Sequence, residues 1–127
     1  MSDKKERKEF DTWARKIIQK YQPILLVSDH TFDIEFKEKL ARSSLFEHST
    51  MYPYKTCYIM YGETAMMYWK EGNKEELRQG LIHELCHDIT DPMYVVASAR
   101  YATEDQLLNE RERLTDHIAN IIVHLKV

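Results

Sequence analysis

The chain has 127 residues, 43% hydrophobic and 31% charged, with a formal net charge of -3. That length supports a single domain over residues 1–127 with one core. No apolar run approaches membrane-spanning length and no basic stretch lacks interleaved acids, so composition argues against membrane and nucleic-acid partners. Two cysteines give no disulfide framework and the charged start Met1–Glu6 is unlike a secretory signal, so a reducing cytoplasm is the expected compartment.

In chain order, Phe10, Trp13, Ala14, Ile17, Ile18 and Tyr21 recur at helical spacing. They predict an amphipathic helix over 3–21, stopped by Pro23. Ile24–Val27 and Phe32–Phe36 read as strands, with Asp29-His30 as a turn between them. His48 falls in an expected loop. Thr56–Tyr61 reads as a further strand, with Ala65–Trp69 as its continuation or hairpin partner across Gly62. Between Met51 and Trp69 stand four methionines, five tyrosines and a tryptophan, which suit an adaptable binding wall or, more simply, a sheet core.

Asn73-Lys74-Glu75-Glu76 reads as a helix start, with Asn73 as N-cap and Glu76 placed for a capping box. Leu77, Leu81, Ile82, Leu85, Cys86 and Ile89 then form one apolar stripe, and Asp91-Pro92 is expected to end the helix. Gly80 within it suggests close approach of a neighbouring strand or of substrate. Residues 88–103 read as an irregular connection. Thr103 is expected to cap a last helix with the stripe Leu107, Leu114, Ile118, Ile121 and Leu125, and His117 and His124 on an exposed face. The elements add up to an α+β fold: an N-terminal helix, a small twisted sheet, a central helix and a C-terminal helix.

The stretch that carries chemistry is His83-Glu84-Leu85-Cys86-His87. Residues four apart share a helix face, so His83 and His87 can bind one metal from a single turn while Glu84 reaches a water beside it. The alternative is a pair of partly buried, hydrogen-bonded histidines on an ordinary core helix. Cys86 lies on the apolar stripe and reads as a small hydrophobe, not as a ligand.

The motif is His-Glu-x-x-His, and the segment resembles the zincin metallopeptidases. Among these, the extended type with glycine and a third histidine is excluded, because Thr90 and Met93 stand at those positions. The gluzincins, including the very small minigluzincin-like domains, take a glutamate from a later helix in a motif similar to Glu-x-x-Ser-Asp. Glu112-Arg113-Leu114-Thr115-Asp116 fits with threonine for serine. The resemblance is specific over residues 73–119 and implies Zn²⁺ held by His83, His87 and Glu112, with Asp116 accepting a hydrogen bond from a ligating imidazole. Glu110 competes for the ligand role, but Leu114 four residues on offers no such acceptor.

The resemblance implies hydrolysis of a peptide or protein substrate, Glu84 acting as general base. It also implies an edge strand above the metal helix on which extended substrate pairs, for which Thr56–Tyr61 is the candidate. Tyr94, Tyr101 or His117 would stabilise the oxyanion. The alternatives are a noncatalytic or latent binding module on the same scaffold, and a structural protein whose zinc staples two helices.

Overall fold

A computed structural model describes residues 2–40, 44–51 and 54–125. The fold is α+β, with elements α1 (Lys4–Ile24), β1 (Thr31–Phe36), β2 (Phe46–Met51), β3 (Thr56–Tyr61), α2 (Glu63–Lys70), α3 (Lys74–Ser98) and α4 (Glu104–Leu125). The sheet order is β1-β3-β2, with β1 parallel and β2 antiparallel to β3. No helix among the described residues is long and apolar enough to cross a membrane.

Asp3 starts α1 by accepting from the Glu6 amide at 2.8 Å. The helix does not stop before Pro23 but carries it in its last turn. Ile24–Val27 is therefore a helix end and turn, not a strand: the Leu25 amide returns to the Tyr21 carbonyl and Leu26 turns the chain at φ 58°. Phe10, Ala14 and Ile18 are buried, as the helical spacing requires. They meet Ile34 of β1 and Cys57, Ile59 and Tyr61 of β3 in one core.

Two elements differ from the sequence expectation in kind. Ala65–Trp69 belongs to the helix α2, whose buried Ala65 and Met66 seal the end of the core. Of the methionine- and aromatic-rich stretch, Tyr61 and Met66 are buried and Tyr68 and Trp69 pack partly against the core, while Met51, Tyr54, Tyr58 and Met67 are exposed. The second difference is β2, a strand where no strand was read. It takes the sheet edge, leaving Thr56–Tyr61 as the central strand with both edges paired. The edge available beside the central helix is β2.

On α3, Leu77, Leu81, Leu85 and Ile89 are buried at every fourth residue. A Cβ at Gly80 would lie 3.0 Å from the Phe46 ring, so the glycine admits the close approach of β2. Asn73 makes no side-chain cap, its amide group instead donating to Glu71 at 3.3 Å. Pro92 does not end α3 but lies inside it, and most of the expected irregular connection is helix up to Ser98. Thr103 does cap α4: its hydroxyl accepts from the Gln106 amide at 3.1 Å, and the Gln106 side chain returns to the Thr103 amide at 2.8 Å. No residue of α4 is buried.

Candidate metal and acid-base site

His83, His87 and Asp91 stand four residues apart on α3, so they rise along one face of the helix. The Nε2 atoms of His83 and His87 are 3.1 Å apart, and their rings cross at 80°. Two imidazoles on a tetrahedral zinc, with Zn–N near 2.0–2.1 Å, hold their nitrogens roughly 3.3 Å apart. The separation is close to that of a metal-bound pair, and it is equally that of an Nε2–H···Nε2 hydrogen bond between the two rings. On the other ring nitrogen, His87 Nδ1 lies 3.4 Å from Asp91 Oδ1. A proton held there leaves Nε2 as the ligating atom.

Glu84 projects toward β2, where it is 8% exposed. His48 Nδ1 donates to Glu84 Oε2 at 2.6 Å, and His48 Nε2 donates to Asp91 Oδ2 at 2.9 Å. Two carboxylate acceptors call for an imidazolium, since neutral histidine has only one N–H. Glu84 above all, and Asp91 with it, hold the His48 pKa above the ordinary histidine value against the opposing effect of burial. Thr50 also donates to Asp91 Oδ2 at 2.9 Å. A chain of polar contacts thus runs Glu84, His48, Asp91, His87.

His48, His87 and Asp91 bring ligand atoms within 4.8 Å of one another, and among the described residues they form the one such group of three. Their rings argue against metal binding in that arrangement. His48 stacks on His87 with centroids 4.1 Å apart and planes only 19° off parallel. Lone pairs lie in the ring planes, so nearly parallel rings do not aim at one ion, and both His48 nitrogens are already donating. The crossed pair His83–His87 does not have that misalignment.

The structure does not bring Glu112 to these histidines. Its carboxylate is 68% exposed and lies 3.8 Å from Arg111. Asp116 is exposed as well, so the imidazole-orienting position expected of it is filled by Asp91. Glu110 faces inward and pairs with Arg113 at 2.8 Å, while Arg113 also donates to the Ile89 carbonyl at 3.0 Å. Spacing puts Glu112 and Asp116 on one face of α4, but which face meets α3 is decided by packing. His117, expected to be exposed, is half-buried and bonds the Leu25 carbonyl at 2.8 Å. Tyr94 and Tyr101 are exposed.

Sequence reasoning missed two members of the site. Asp91 was legible, because it continues the His83–His87 spacing by one more turn. His48 was not, since its partners lie 36 and 43 residues away. Cys57 is buried, which pushes its thiol pKa up to about 12, and Cys86 is raised for the same reason. Neither thiol is a ready metal ligand at neutral pH. Comparison of the chain with protein-family models, with curated proteins and with solved structures gives no match.

Proposed function

We propose that the protein is a zinc-dependent metallopeptidase in which His83 and His87 hold the metal and Glu84 is the general base. The observation that carries this reading is the convergence of the His83 and His87 Nε2 atoms at 3.1 Å beside the sheltered Glu84 carboxylate. Zinc would supply Lewis acidity toward the scissile carbonyl and the attacking water. Two of the three protein donors usual for a catalytic zinc fit; Glu112, the third that the sequence offers, is turned away from them.

The protein's own residues divide the remaining work. Glu84 Oε2 is held by His48, which fixes the carboxylate and leaves Oε1 to accept the water proton and pass it to the leaving amine. Asp91 orients His87 and shares His48 with Glu84. With Cys57 and Cys86 both free, the proposed compartment is the reducing cytoplasm. The tight Glu84–His48 contact also favours a second reading, a latent or noncatalytic zinc-binding module whose base is engaged at rest.

Metal analysis followed by cleavage of a diverse peptide library tests both. About one zinc per chain is expected, lost in His83→Ala. Glu84→Gln is expected to keep zinc and fold while hydrolysis falls nearly to zero, because glutamine cannot accept the proton. Zinc that leaves the melting of metal-free protein unchanged would sink the metal site. Zinc binding without cleavage by wild type would select the latent module.

A further inference from the structure

α4 carries two apolar stripes. Leu107, Leu114 and Ile121 are partly buried against the rest of the fold. A second set, Leu108, Ile118, Ile122 and Leu125, is 39% to 50% exposed. With Arg111 and Thr115 these positions step alternately by three and four residues along the helix. Steps of that kind, averaging 3.5, keep one straight seam facing another helix. A single exposed Leu or Ile is ordinary, but a seam along most of a helix marks a contact surface.

The size and charge of the stripe say what can cover it. It runs about 25 Å along the helix axis, a length that another helix matches. Four half-exposed Leu and Ile side chains present roughly 400 Å² of apolar surface, a scale at which exposed patches are often functional. Apolar atoms make up about 60% of an interface, so the stripe corresponds to roughly 650 Å² per partner. Between two copies that is about 1,300 Å², at the small end of specific interfaces. A second α4 fits in one orientation. Parallel helices would set Arg111 on Arg111 and Glu104 on Glu104. Antiparallel, Leu108 meets Leu125 of the second copy, Arg111 meets Ile122 and Thr115 meets Ile118. Every layer then holds an Ile or Leu, no layer opposes like charges, and the helix dipoles run in opposite directions. The Arg111 stem can lie along Ile122 with its guanidinium in water. An anionic bilayer is the poorer occupant, since Glu104, Asp105 and Glu112 stand where a membrane-surface helix carries Lys and Arg.

We propose that α4 pairs antiparallel with α4 of a second copy of this chain, in that register, to form a weak homodimer. An interface of this size is expected to dissociate in roughly the 10–100 µM range, so dilute protein unfolds as the monomer. His83, Glu84 and His87 lie on α3 and take no part in the seam. The dimer therefore stands or falls apart from the metallopeptidase reading.

Sedimentation velocity of the full chain between about 5 and about 500 µM tests the dimer. Wild type is expected to pass from monomer to dimer mass across that range. Ile118→Glu, at a half-exposed position that leaves the core intact, is expected to raise the midpoint at least tenfold. The thermal melt of the same variant, followed by circular dichroism in dilute solution, is expected to match wild type. Val123→Glu, 70% exposed and one residue round the helix from the seam, is expected to move the midpoint by less than about twofold. Mild oxidation of Leu108→Cys mixed with Leu125→Cys reads the orientation, because only the antiparallel pair joins the two variants by a disulfide. A wild type that stays monomeric at the highest concentration, equal losses in the two glutamate variants, or self-crosslinking in preference to the mixed product would overturn the proposal. So would binding to phosphatidylglycerol vesicles without self-association, which would give the face to a bilayer.

Discussion

The two helices that carry the candidate residues are held in opposite ways. The first half of α3 sinks Leu77, Leu81 and Leu85 completely into the core, whereas α4 buries nothing and leaves Ile118, Ile122 and Leu125 about half exposed. Both helices have apolar residues at helical spacing, so period alone does not separate them. What separates them is the sheet: α3 lies against β2 through the Gly80–Phe46 contact, and α4 meets chiefly α3. The crossed histidine geometry therefore stands on a fixed scaffold, while the carboxylates of α4 stand on a lightly held one.

The largest effect expected of this contrast is on stability. Leu81→Ala is expected to lower unfolding free energy by about 2–5 kcal/mol, through lost burial and a residual cavity. Ile122→Ala is expected to stay within about 0.5 kcal/mol. Urea denaturation of the two variants measures both, and similar losses would erase the distinction between the helices.

A smaller effect concerns the contact between β2 and α3. The His48 pKa is raised in the fold, chiefly by Glu84. Stability from this contact is thus fully present below the ordinary histidine value, about 6.5, and is lost as pH rises through the raised value. Melting curves of wild type and His48→Gln across that window are expected to differ most at the acid end and to approach each other at the alkaline end. A constant difference would mean that His48 is not charged in the native protein.

How far sequence reasoning reached follows the same division. α1, β1, β3 and the start of α3 were legible because burial on one side imposes a period, and the Thr103–Gln106 cap because it is local. Pro23 and Pro92 misled, because each was read as a terminator and each sits within its helix. β2 escaped because Phe46, His48 and Thr50 share its inward face and only Phe46 is apolar and buried. The site divides likewise: His83, Glu84 and His87 could be read from one turn of helix, but His48 only from the fold.

The smallest expected effect sharpens the contrast most. Glu112 is exposed and weakly paired, so Glu112→Ala is expected to change stability by less than about 0.5 kcal/mol and zinc affinity by less than about twofold. Competition with a chromophoric chelator measures the affinity. A tenfold loss would mean that zinc binding draws α4 into another arrangement, with Glu112 as a ligand.

Pro92 has a consequence for how α3 opens. It has no N–H to give the Asp88 carbonyl, so the hydrogen-bond ladder is broken just beyond the histidine turn. Residues 77–89 are tied to the core, and residues 93–98 beyond the break are not buried. In hydrogen exchange the helix is expected to show two regimes. Amides before the break exchange only when the whole protein unfolds, and those after it exchange through local fraying. The far end of α3 can thus come and go on its own timescale while the spacing of His83 and His87 stays fixed.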